Sequence, residues 1–366
     1  MDVAAWCRES RVWVVAGKGG VGKTTIAATL ARTAADAGLS VLIVELEGKP
    51  GLPAAFGRRG TLDYTPLRLY RSGAHASADE GGGGAPDGRP VPEDTGEGAA
   101  GGTDQDEARV PLRAPLEAGS VWARRLTPDD ALLEYLADHG LQRVSKRLVS
   151  SGVLDVVATA IPGIRDVLVL GKVKQIERSG MTDLVVVDAP ATGHAMTFLT
   201  SASGLLDAAR SGPVRTQAQE VVELLQDATR CRVLLVTLPE EMPVSETVEA
   251  AYQLEQRVGV HLGPVVVNGY EEVPAGLATG VEEAAREAGV GLRDDERAAL
   301  EAARDFRLRR ARLAEEQVER LATELALPQV RLPRLWAASV GRDQLAQLAA
   351  ALVGEVERLP SHAEAR

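Results

Sequence analysis

Apolar residues recur along the chain in short, mostly apolar runs, at 12–16, 41–44, 121–126, 184–187, 233–237 and 265–267, rather than in polar–apolar alternation. Runs of this length, rich in Val and bounded by turn residues, read as strands covered on both faces. Between them the spacing lengthens to that of helices. One spans 23–37 and stops at Gly38; others begin at Pro128, Leu141 and Ile164, near Ala195 and Pro213, and at Ser245. A long Arg- and Glu-rich stretch, 294–325, puts Phe306, Leu313, Val318, Leu321 and Leu325 on one broad face, the pattern of a helix lying on a core. A short strand around Val330 and a helix from Arg342 close the chain. Strands alternating with helices predict an α/β fold, a mainly parallel sheet flanked by helices on both faces. A single domain is expected over 1–366, with helical elaborations at 128–180 and 195–230.

One stretch departs from this pattern. Residues 73–109 hold ten glycines, nine acidic residues and two basic ones, with almost no large apolar side chain. Burial there cannot offset the entropy of ordering, so a disordered acidic insertion is expected. It carries net −7 of the chain's −11, so the folded remainder is close to neutral. That balance, with only 3% aromatic residues, argues against a basic, base-stacking nucleic-acid face. Cys7 and Cys231 form no CxxC pair and no thiolate metal set, which suits a reducing cytoplasm. No apolar run reaches the ~18 residues of a transmembrane segment, and the first residues lack the apolar core of a secretion signal.

The strongest chemical signal follows the first strand. Gly17-Lys18-Gly19-Gly20-Val21-Gly22-Lys23-Thr24-Thr25 satisfies GxxxxGK[ST] between a strand and a helix, the context a phosphate-binding P-loop requires. The glycines let successive backbone N–H groups converge on a polyphosphate, and the helix start adds its positive dipole end. Lys23 is expected to bridge the β- and γ-phosphates of ATP, and the Thr24 hydroxyl to bind Mg2+. Asp188 ends the strand 184–187, where the carboxyl ends of parallel strands form a ligand crevice, and is expected to hold a Mg2+-bound water.

With its second lysine, Lys18, the loop resembles the deviant Walker A loop, in which the early lysine reaches phosphates held by a partner subunit. Several further segments are similar to the anion-transporting ATPase family, which includes the arsenite-pump ATPase and the targeting ATPase for tail-anchored membrane proteins. They are Asp188-Ala189-Pro190-Ala191-Thr192-Gly193-His194, Ile161-Pro162-Gly163-Ile164, Val236-Thr237-Leu238-Pro239-Glu240 with Glu246-Thr247, and Val266-Val267-Asn268. The resemblance implies that the Asp188 segment is switch II, that Asn268 contacts adenine, and that Pro333, in Leu332-Pro333-Arg334-Leu335, lies in a second adenine loop. Where the family's switch I reads close to Asp-Pro-Ala-His, this chain has Glu47-Gly48-Lys49-Pro50. Glu47 keeps the carboxylate that orients water but adds a methylene, so slow, conditional or absent hydrolysis is expected. About 30 residues separate Thr200 from Cys231, too few for the family's transmembrane-helix groove, and the family's metal-binding cysteines have no counterparts.

Three classes of function follow. The first is an ATP-hydrolysing switch acting on a client protein, as a homodimer or a heterodimer with a paralogue. A second is a nucleotide-binding regulatory subunit with weak or no hydrolysis, paired with an active paralogue. The third is an ATPase of the partition or septum-site type, which shares the deviant P-loop.

Overall fold

Strand β1 (Val12–Gly17) is buried along its whole length and pairs in parallel with β5 (Leu184–Asp188) on one side and β6 (Cys231–Thr237) on the other. This computed structural model describes residues 1–48, 50–73, 114–138, 163–190 and 192–360; of 135–138 and 192–194 only the backbone is described. The acidic stretch read at 73–109, Gly73 excepted, and the helix expected from Leu141 lie outside the described residues.

The remaining strands extend the sheet outward. On the β5 side come β2 (Val41–Glu45), β4 (Ser120–Arg125) and β3 (Leu67–Arg71); on the β6 side come β7 (Val265–Tyr270) and β8 (Gln329–Pro333). The order is β3-β4-β2-β5-β1-β6-β7-β8, parallel throughout except for β3 against β4. Runs that are apolar on both faces make such a sheet because both faces are covered.

Each face carries its own core. On one, α1 (Val3–Cys7), α2 (Lys23–Asp36), α3 (Gly51–Ala55) and α11 (Arg342–Arg358) bury Trp6, Ile26, Leu52 and Leu345 against Trp13, Ile43 and Val236. Buried alanines at 27, 28, 31, 34 and 35 let α2 lie close to its neighbours. The other face is covered by α4 (Pro128–Asp138), α5 (Ile164–Ser179), α6 (Thr192–Ala208), α7 (Pro213–Gln226) and α8 (Glu241–Val258). Cys7 and Cys231 sit in these separate cores, both buried, and burial pushes each thiol up to about 12.

Several elements differ from the sequence expectation. The helix expected from Ser245 starts four residues earlier, at Glu241, because Pro243 falls in its first turn, where a missing N–H is harmless. The edge strand β3 is absent from the apolar pattern: it buries only Leu69, and a register irregularity falls between Arg68 and Tyr70. The stripe on α10 (Asp294–Glu324) reaches the core only in its second half. Val318 and Leu321 are buried, whereas Phe306 and Leu313 are each 59% exposed, and no residue of 294–310 is buried. A further helix, α9 (Val281–Glu287), likewise buries nothing. Among the described residues no helix is long and apolar enough to cross a membrane.

Candidate functional site

The carboxyl ends of β1, β2 and β5 meet at one edge of the sheet, and the P-loop leaves β1 there. Its path depends on two close approaches. A Cβ at Gly17 would lie 2.3 Å from the Val236 carbonyl oxygen on β6, and one at Gly22 would lie 2.4 Å from Asn268 Nδ2. Gly20 (φ +87°) and Gly22 (φ +93°) also occupy the left-handed region that favours glycine. Alternating such residues with ordinary ones turns successive N–H groups toward one point, the geometry of an anion nest. Gly22 then caps α2, so the helix dipole adds to the same positive concavity.

The polar side chains converge on this concavity. Lys23, buried at the start of α2, donates to the Lys18 carbonyl at 3.1 Å. The Thr24 hydroxyl donates to Asp188 Oδ2 at 2.7 Å, while Asp188 Oδ1 is buried with no hydrogen-bond partner among the described residues. Burial pushes the Asp188 carboxyl up to about 6; the Thr24 hydrogen bond and the Lys23 charge oppose that rise, and Glu45 and Glu47 add to it. A hydroxyl bonded to a half-satisfied carboxylate is the donor set of a hydrated divalent cation beside a polyphosphate, so these residues fit Mg2+.

Glu47 is exposed on the loop after β2, close enough to act electrostatically on Asp188. Gly48 beside it (φ +72°) lies under Arg125, whose Cζ would be 2.9 Å from a Cβ there. The Lys18 side chain is held in a 2.5 Å ion pair with Glu246 of α8, each side chain about one third exposed. Asn268, at the carboxyl end of β7, donates its amide to the Val21 carbonyl at 2.8 Å and so ties that strand to the P-loop. It shares a cavity of about 830 Å³ with Thr25 and with Pro333 of β8, lined also by Phe306, Arg309 and Arg310 of α10. This is the size of a small-molecule site.

Lys23, Thr24 and Asp188 are thus together, Glu47 is beside them, Asn268 and Pro333 line one cavity, and the Lys18 ammonium is engaged in an ion pair with Glu246. Within the switch II segment, Ala191 and the side chains of Thr192 and His194 lie outside the described residues, as do Ile161 and Pro162. Gly163, from that second segment, starts α5 with φ +84°. Sequence reasoning missed Glu45, which is 2% exposed and in register with Asp188 across the β2–β5 pair. Its signal was the one that identified Asp188, a carboxylate ending an apolar run. Glu246 was noticed only as part of a motif, and the ion pair joins residues 228 apart in sequence.

A family model described as the CobQ/CobB/MinD/ParA nucleotide binding domain matches residues 12–361. ATPase BagA of Mycobacterium tuberculosis is 34% identical over 274 residues, covering 73% of this chain and 66% of that protein. The chain therefore spans just under two thirds of that relative's length. A putative arsenical pump-driving ATPase of Halobacterium salinarum is 26% identical over 269 residues, covering 71% and 35% respectively. The arsenical pump-driving ATPase of Escherichia coli is 31% identical over 108 residues, or 29% and 18%.

Proposed function

Because the chain belongs to the CobQ/CobB/MinD/ParA nucleotide-binding family, we propose that it is an ATP-binding and ATP-hydrolysing switch that closes as a dimer and couples its cycle to a client protein. The observation that carries this reading is the Thr24–Asp188 hydrogen bond beside the Gly20–Gly22 turn, with one Asp188 oxygen buried and unpartnered. Such a carboxylate is costly unless a cation arrives to compensate it. The names of the relatives, ATPase BagA and arsenical pump-driving ATPase, are consistent with the anion-transporting ATPase family.

In this reading the backbone N–H groups of Gly19, Gly20, Val21, Gly22, Lys23, Thr24 and Thr25 receive the phosphates, and the Lys23 ammonium neutralises them. Thr24 would hold Mg2+ directly and Asp188 through water. Bound Mg2+ would supply positive charge to the phosphoryl oxygens. Glu47 orients the attacking water and accepts its proton. Asn268 and Pro333 flank the base. Lys18 exchanges Glu246 for the phosphates of a partner subunit, in a homodimer or a heterodimer with a paralogue. The cycle then alternates between two shapes that a client distinguishes. The exposed, longer Glu47 side chain favours a second reading, ATP binding with little turnover in a regulatory subunit.

Light scattering with Mg-ATP and Mg-ADP tests the switch. Doubling of mass with Mg-ATP, lost in both Lys18→Ala and Lys23→Ala while Lys18→Ala still binds nucleotide, is the expected result. A mass indifferent to nucleotide would overturn the dimeric switch.

A further inference from the structure

Strand β4 points Trp122 and Arg124 toward the same face, two residues apart, but only Trp122 is apolar. Arg124 is 4% exposed, and its guanidinium lies 3.9 Å from the ring centroid of Tyr64. Among the described residues its Nε and Nη2 are buried without a hydrogen-bond partner, and so is the Tyr64 hydroxyl. Buried polar atoms are satisfied in the great majority of cases, so three such atoms together mark an uncompensated, positively charged spot. Arg124 and Tyr64 line one cavity of about 310 Å³, with Glu134, Lys172, Gln175 and Ser179 around it.

The neighbouring charges leave Arg124 as the group that has most to gain. Lys172 is committed to an ion pair with Glu134 and also donates to Gln175 at 2.8 Å. Asp130 attracts Arg124 by charge, but its Oδ2 accepts from the Thr127 hydroxyl at 2.5 Å and the Thr127 amide at 3.3 Å. A guanidinium keeps its charge at neutral pH and offers a planar fork that matches an oxyanion. The cavity volume sits at the small end of ligand sites, room for an anionic head on a short carbon body.

We propose that this cavity is a binding site for a small organic anion, whose carboxylate or phosphate head pairs with the Arg124 guanidinium beside Tyr64. The site is separate from the P-loop: β4 is divided from β1 by β2 and β5. The proposal therefore stands whether or not the chain hydrolyses ATP.

Calorimetric titration of the full chain tests it, with acetate, butyrate, inorganic phosphate and glycerol phosphate as separate arms. All arms use the Lys23→Ala background, so that phosphate at the P-loop does not contribute. Saturable one-to-one binding in the carboxylate or the phosphate arms is expected, and the responsive pair of arms identifies the head. Arg124→Met should weaken that binding by about tenfold or more, the worth of charge-assisted hydrogen bonds. Tyr64→Phe should weaken it less. Thermal melts provide a second readout: without anion Arg124→Met should melt above the parent, since it removes a buried uncompensated charge. Phosphate raises melting temperatures nonspecifically, so the comparison is between parent and variant at equal phosphate. Equal binding by parent and Arg124→Met, or no saturable binding in any arm, overturns the proposal. A lower melting temperature for Arg124→Met would add that the guanidinium serves only to pack on Tyr64.

Discussion

Replacing Asp188 with Asn removes one charge and little else, because an Asn side-chain oxygen can still accept from the Thr24 hydroxyl. Burial raises this carboxyl from 3.8 to about 6, so the folded chain holds the proton more tightly than the unfolded chain does. Stability from this group is therefore greatest below pH ~4 and is lost as the pH rises through about 6. Just over two units correspond to ~3 kcal/mol of destabilisation at pH 7.5, falling to about half that at pH 5. For a chain of 366 residues, ~3 kcal/mol is a melting-temperature difference of about 4 °C. Nucleotide-free Asp188→Asn should thus melt about 4 °C above the parent at pH 7.5 and about 2 °C above it at pH 5. Differential scanning calorimetry in matched buffers reads both. Adding Mg-ADP should raise the parent's melting temperature and leave the variant's nearly unchanged, reversing their order. A variant that melts below the parent at pH 7.5, or a gap independent of pH, would refute the claim that Asp188 is an uncompensated buried charge.

Other substitutions report on neighbouring parts of the site. Gly17→Ala drives a Cβ into a backbone carbonyl at 2.3 Å, whereas Gly22→Ala meets the end of the Asn268 side chain at 2.4 Å. Gly17→Ala should therefore cost more in urea unfolding, while Gly22→Ala, strained by ~1–3 kcal/mol at its positive φ, should lose nucleotide binding in a fluorescence titration while still folding. Glu246→Gln releases Lys18 from a partly exposed ion pair worth at most ~1 kcal/mol; unfolding stability should barely change, and Mg-ATP-dependent association should strengthen up to about fivefold. Weaker association in sedimentation would contradict the partner exchange assigned to Lys18. Both thiols, buried and pushed up to about 12, should resist a thiol reagent in the native chain and react once it is unfolded in guanidinium.

The strands of the sheet centre were legible because β1, β2, β5 and β6 are buried on both faces, which leaves unbroken apolar runs in the sequence. Edge strand β3 was not, since one buried side chain in five residues leaves no pattern to read. The same limit explains α10: periodicity finds an apolar stripe but cannot tell which stretch of the helix meets a core, so Phe306 and Val318 look alike in sequence. At the site, local motifs carried Lys23, Thr24 and Asp188. Contacts between distant segments did not announce themselves: Asn268 bonding Val21, Lys18 pairing with Glu246, and Glu45 lying in register with Asp188 all depend on strand order. Arg124 shows the reverse case. An arginine pair, Arg124-Arg125, at the end of an apolar run reads as polar in sequence, and only burial beside Tyr64 marks Arg124 as unusual.

Single-turnover hydrolysis of Mg-ATP, with the chain in excess over nucleotide, tests the central claim most directly when run beside Lys23→Ala and Glu47→Gln. The account predicts measurable phosphate release by the parent, abolished in Lys23→Ala for want of binding and in Glu47→Gln despite retained binding. Release at the parental rate by Glu47→Gln would contradict the catalytic role given to switch I, and tight binding by the parent with no release at all would contradict the ATPase itself.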